Sequence, residues 1–285
     1  MGKPALQTPI GIFDSGIGGL SVLRAVLHEP INQPIIYLAD QAHVPYGQRS
    51  LEEVRLFSEG ITSFLIDQGC KIIVVACNTA SAAALYSLRM TFPEIPFVGM
   101  EPAVKPAAEQ TQSGVVGVLA TPATFQGALY ASVVERFAGN VQLLQSACPG
   151  LVEQIETGRL DSAETREILY AVLQPMLAQG IDTIVLGCTH YPFVIPLIQE
   201  IVGPAVRVID PAPAIARQVH RVLINNSIAQ FPSEAQSPTL SLRMFTTGNP
   251  RKMADLLPRL LGKVFPVDGI KWSNDRELFF TGQFR

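Results

Sequence analysis

Short runs rich in β-branched residues alternate with longer amphipathic stretches along most of the chain, and this alternation limits its folds more than any other feature. The runs cover residues 10–13, 35–38, 72–76, 97–99, 115–119, 141–144, 183–186 and 206–209. None shows strict polar alternation, so each reads as a strand buried on both faces. Residues 19–28, 51–68, 165–179 and 214–225 carry helix-like patterns between them. Strands and helices in this order predict an α/β fold of mainly parallel sheets flanked by helices.

The order also holds a faint duplication. One strand runs from Gly11 to the small polar end Asp14-Ser15, another from Gly117 to Thr121, and each is followed, after a nearly equal interval, by a strand that ends in cysteine, Cys77 or Cys188. Two similar lobes are the expectation. Open parallel sheets bind ligands beyond the carboxyl ends of their strands, so the active site is expected in the cleft between the lobes, with one cysteine on either side. Proline-rich crossings at 93–102 and 209–213 suit hinges. The expected division is therefore 1–97 plus 210–285 for the first lobe and 98–209 for the second. Residues 230–237, rich in Ser, Pro, Gln and Ala, read as an exposed loop.

A chain of 285 residues suits two modest domains or one large unit. The net charge of -3, with scattered Lys and Arg, argues against a nucleic-acid partner. No apolar run approaches the roughly 20 residues that span a membrane, and the opening MGKPALQTPIGIFDSG is unlike a signal peptide. A cytoplasmic protein with no membrane partner is expected. Cys70, Cys77, Cys148 and Cys188 form no CxxC or Cys/His zinc spacing, so neither a metal site nor a disulfide framework is expected. Cys70 and Cys148 have no evident acid/base neighbour and read as small core hydrophobes.

In IFDSGIGGLSVL the glycines let backbone N–H groups approach a ligand. The dinucleotide fingerprint fails because Ser21 stands where its third glycine belongs, and no P-loop occurs. Asp14 and Ser15 have two readings, as caps of the turn or as polar groups in the cleft. In VVACNTASAAAL, Cys77 precedes a helix start, a setting that lowers a thiol pKa, with Asn78 and Thr79 beside it as neutral donors and acceptors. Alone, Cys77 reads as structural. The segment IVLGCTHYPF repeats the arrangement with Cys188, Thr189 and His190. Two facing thiols can remove a proton from one face of a carbon and return one to the other, whereas a Cys/His protease would leave the second motif unexplained. Tyr46 and Gly47, in ADQAHVPYGQRS, belong either to the cleft or to an ordinary turn, and His43 beside them reads as bland.

Taken together, GIFDSGIGGLSVL, ADQAHVPYG, VVACNTASA and VLGCTHYPF, in this order and spacing, resemble the glutamate racemase family of the aspartate/glutamate racemase superfamily over most of residues 10–215. The resemblance implies a cofactor-independent isomerase whose partners are glutamate and a second copy of the chain in a homodimer. It implies Cys77 and Cys188 as catalytic residues and Asp14-Ser15, Tyr46-Gly47, Asn78-Thr79 and Thr189-His190 as substrate-binding pairs. Asp14 and His190 would assist the neighbouring thiols, and Thr121 would add a contact. The D-glutamate formed would feed peptidoglycan synthesis. The chain departs from the family pattern after ACP, and either Glu153 or Glu156 takes the family's acidic position. No Schiff-base lysine or phosphate cradle is evident, so pyridoxal phosphate is not required. The rivals are an aspartate racemase of the same superfamily and a bilobed small-molecule binding protein.

Overall fold

The computed structural model describes residues 8–226, 228 and 241–280; the loop expected at 230–237 lies outside them. Eleven strands occur among the described residues: β1 (Ile10–Asp14), β2 (Ile35–Ala39), β3 (Ile72–Val75), β4 (Phe97–Gly99), β5 (Val115–Ala120), β6 (Gln142–Ser146), β7 (Thr183–Gly187), β8 (Arg207–Ile209), β9 (Leu242–Thr246), β10 (Val267–Ser273) and β11 (Glu277–Phe280). They form a seven-stranded sheet ordered β11-β10-β9-β2-β1-β3-β4 and a four-stranded sheet ordered β6-β5-β7-β8. Only β10 and β11 pair antiparallel.

The two sheets contain the same unit. In the first, β1 lies between β2 and β3, with β4 outside β3; in the second, β5 lies between β6 and β7, with β8 outside β7. Strands β1, β2, β3 and β7 are buried at every residue, which is why their sequences are continuously apolar. The edge strands β6 and β8 are partly exposed.

The alternation did not reveal β9, β10 and β11. Near a sheet edge one face meets solvent, so the β10 segment VDGIKWS mixes polar and apolar residues and ends as a hairpin with β11. Strand β9 adds to β2, returning the chain's last part to the first sheet. Strand β4 lies across the 97/98 position used above to divide the lobes.

One apolar cluster runs through both lobes. It takes Ile10 and Ile12 of β1, Leu20 and Leu23 of the helix Leu20–Val26, Val219 and Leu223 of the helix Ala212–Asn225, and Ile184 and Leu186 of β7. Each such side chain, fully buried, contributes about 1.5–3 kcal/mol, and the two lobes share this core. No described helix is long and apolar enough to cross a membrane.

Candidate active site

In each four-strand unit the chain order reverses beside the central strand, and such a switch point opens a crevice at the carboxyl ends of the two strands concerned. In the first sheet these are β1 and β3, which end at Asp14 and just before Cys77; in the second they are β5 and β7, followed by Thr121 and Cys188. The two crevices meet. Ser15, Tyr46, Gly47, Cys77, Asn78, Thr79, Thr121, Cys188, Thr189 and His190 line one pocket, together with Pro45 and Val152. Asp14 lies behind this lining, fully buried.

Local structure explains the placement. Cys77 is the N-cap of the helix Asn78–Thr91, its Sγ accepting from the Ala80 N–H at 3.5 Å. Thr121 caps the short helix Pro122–Gln126 through the Thr124 N–H at 3.2 Å. Tyr46 and Gly47 begin a 3-10 turn, and His190 precedes another, Tyr191–Val194. The lobes touch where these ends meet: Thr79 Oγ1 lies 2.9 Å from Thr121 Oγ1, and Ser21 Oγ donates to the Thr189 carbonyl at 2.9 Å.

Each thiol has its own titratable neighbour. Asp14 accepts from the Gly19 N–H at 2.7 Å and interacts with Cys77, whose Sγ is 3.9 Å from Ser15 Oγ. His190 Nδ1 lies 3.8 Å from Cys188 Sγ. The lowered thiol pKa expected for Cys77 is not found. Burial, followed by the charge of Asp14, pushes this thiol well above the ordinary cysteine value, and the lone Ala80 N–H cannot offset them. Burial also raises the Asp14 pKa, against the pull of His190 and the Gly19 N–H. For His190 burial favours the neutral ring, yet Cys188 and Glu156 outweigh it and hold the imidazole pKa well above its usual value.

Between the two acidic candidates left open by the sequence, it is Glu156 that stands against His190. Its Oε1 is 2.6 Å from His190 Nε2 and accepts the Ile17 N–H at 2.7 Å, while Oε2 accepts from Gln41 Nε2 at 2.8 Å. Glu153 instead meets Gln48 at 3.2 Å on the outer rim. Sequence reasoning missed Gln41, Val152 and Thr124. Gln41 was within reach, lying in the ADQAHVPYG motif; Val152 carries no chemical signal. Cys70 and Cys148 are buried, and burial pushes both thiols up to about 12.

The Asn78 amide is buried with no hydrogen-bond partner on either Nδ2 or Oδ1. An unpaired buried amide is costly, and a ligand offering both an acceptor and a donor would satisfy it. The pocket's volume is about 20 Å³. A cleft of about 240 Å³ adjoins it, sharing Pro45, Gly47, Thr121 and Val152. Among the described residues, no group of three or more His, Cys, Asp or Glu could hold a metal ion.

The comparisons with known proteins show an isomerase that racemises amino acids, built on two matched α/β lobes. Residues 20–219 match the Asp/Glu/Hydantoin racemase family, and the chain belongs to it. A glutamate racemase of Stutzerimonas stutzeri (strain A1501) is 47% identical over 90% of this chain and 94% of its own. Among solved structures, the glutamate racemase isoform RacE1 of Bacillus anthracis is 32% identical with a TM-score of 0.80, covering 93% of this chain and 97% of that one. The glutamate racemase of Francisella tularensis, solved with D-glutamate, is 30% identical with a TM-score of 0.78, covering 94% and 98%.

Proposed function

We propose that this protein is a glutamate racemase that interconverts L- and D-glutamate without a cofactor, by a two-thiol, two-base mechanism, and so supplies D-glutamate for peptidoglycan synthesis. The observation that carries the mechanism is the arrival of Cys77 and Cys188 in one pocket from corresponding positions of two matched sheets. The D-glutamate bound by the Francisella tularensis enzyme supports the choice of substrate.

In this reading one sulfur, as thiolate, removes the α-proton, and the opposite thiol delivers a proton to the other face; the reverse reaction exchanges their roles. Asp14 serves Cys77 as proton partner and His190 serves Cys188. Glu156, bonded to His190 Nε2, orients that ring. Ser15, Asn78, Thr79, Thr121 and Thr189 are the neutral groups that grip the substrate, and hydrogen bonds to its α-carboxylate stabilise the charge that develops on deprotonation. Asn78 suits this role because both ends of its amide are unpaired.

A pocket of about 20 Å³ has room for about one water molecule, so glutamate reaches it only when the lobes part. The division into a first lobe of 1–97 plus 210–285 and a second of 98–209 then describes the moving units. A cytoplasmic homodimer completes the reading.

Metal-free, coenzyme-free protein incubated with L-glutamate, and separately with L-aspartate, tests the proposal by circular dichroism. Loss of optical activity with glutamate, abolished by a thiol-alkylating reagent, is the expected result. Faster loss with aspartate overturns the substrate; turnover that survives complete alkylation of both pocket thiols overturns the mechanism. Binding without α-proton exchange would identify a ligand-capture protein instead.

A further inference from the structure

The residue just beyond β2, Asp40, is fully buried and gathers four side chains from three parts of the first lobe. Its Oδ2 accepts from the Tyr46 hydroxyl at 2.6 Å and lies 2.9 Å from His43 Nδ1. Its Oδ1 accepts from Thr247 Oγ1 and from Trp272 Nε1, both at 2.7 Å. Thr247 follows β9, and Trp272 belongs to β10.

The Tyr46 phenol is therefore bonded to Asp40, and Tyr46 and Gly47 both line the pocket. That segment has little latitude: a Cβ on Gly47 would come within 2.7 Å of Thr121 Cβ in the opposite lobe. A second set of contacts ties the same loop to the helix Leu51–Asp67 and to the hairpin. The His43 ring stacks on Phe57 with centroids 3.9 Å apart, and its Nε2 lies 3.3 Å from Asp275 Oδ1 in the β10–β11 turn. The hairpin lies outside residues 20–219 that match the family.

We propose that Asp40 is a positioning residue for the Tyr46-Gly47 edge of the pocket, and that the C-terminal hairpin acts on substrate binding through it. This rests on the glutamate racemase reading. The carboxylate fixes the phenol, the phenol fixes the loop, and the loop sets one wall of the site. Charge-assisted hydrogen bonds of this length are strong and directional, so loss of one displaces the wall without touching either thiol.

The experiment uses the chain's only tryptophan, Trp272, as its reporter. Wild-type protein is titrated with D-glutamate while tryptophan emission is followed, and KM and kcat are measured for both enantiomers in wild type, Asp40→Asn and Thr247→Val. Emission of the wild type should change saturably with D-glutamate, and Asp40→Asn should lose this response. Asp40→Asn should raise KM about tenfold while kcat changes less than about threefold, and Thr247→Val should shift KM in the same direction by less. Thr247 lies outside the pocket, so this variant keeps the test open if Asp40→Asn does not fold. Wild-type KM in both variants, a fall in kcat at unchanged KM, or unresponsive emission in a wild type that turns over glutamate overturns this proposal alone. Wild-type protein that fails to interconvert the glutamate enantiomers overturns the racemase reading and this proposal with it.

Discussion

Glu156 accepts the Ile17 amide hydrogen across the cleft at 2.7 Å with the same oxygen that lies 2.6 Å from His190 Nε2. One carboxylate thus joins the glycine-rich turn of the first lobe to the imidazole beside Cys188. Glu156→Gln keeps the size and removes the charge. Hydrogen bonds to charged groups are worth about 1.5–3 kcal/mol, so kcat/KM should fall by roughly ten- to a hundredfold. NMR titration should find the His190 pKa lowered toward its ordinary value; an unchanged titration would show that Glu156 does not hold the proton there.

The two thiols should be separable by isotope exchange. Cys77→Ser and Cys188→Ser should each lose racemisation by a factor of about 10² to 10⁴, the usual contribution of a positioned acid or base. In deuterated water each variant should exchange the α-proton preferentially from one starting enantiomer, with opposite preferences. Full racemase activity in either single variant would exclude the two-thiol mechanism.

Gly16 and Gly18 are spacers between the lobes. A Cβ on Gly16 would run into the Glu156 carboxylate, and one on Gly18 into the His190 ring. Because Glu156 is held by Ile17, Gln41 and His190, it cannot swing aside without breaking those bonds. Gly16→Ala and Gly18→Ala should therefore hold the lobes apart and cut kcat/KM by about a hundredfold or more, while each lobe stays folded. Far-ultraviolet circular dichroism and steady-state kinetics measured on the same samples check both halves of this expectation.

Stability should respond to pH in opposite senses at the two ends of the scale. The His190 pKa is raised on folding: burial opposes the charge, but Cys188 and Glu156 overcome it. Its contribution is complete below the unfolded value of about 6.5 and is lost as pH rises through the folded value. The Cys77 thiol, raised by burial and by Asp14, adds to the alkaline loss above about 8.5. For Asp182 burial raises the pKa, but the Ser113 N–H, Thr111 hydroxyl and Gln112 N–H bring it down to about 2. That contribution is present above the unfolded value of about 3.9 and is lost as pH falls toward about 2. Thermal melting across pH should show a decline on both sides, the acid limb shrinking in Asp182→Asn and the alkaline limb shrinking in Cys77→Ser.

How much of this was legible in the chain depends on the kind of signal each part carries. The strands β1, β2, β3 and β7 announce themselves because a parallel strand covered on both faces reads as a near-continuous apolar run. The hairpin β10–β11 does not, since one face is exposed and Asp268, Gly269 and Lys271 interrupt its pattern. The paired cysteines were visible because each follows a buried strand within a repeated motif. Their electrostatics were not: a helix start beside Cys77 argues for a lowered pKa, and only the burial around the folded thiol reverses it.

The sequence by itself determined the α/β class, the duplication and the identity of the residues at the strand ends, because local periodicity and strand-end chemistry are written in order along the chain. The tertiary structure alone decided which of those ends meet. It set Glu156 rather than Glu153 against His190 and left Asn78 unpaired in the pocket. Those outcomes depend on how two lobes settle against each other, through contacts between residues far apart in the chain, and no local pattern encodes such distances.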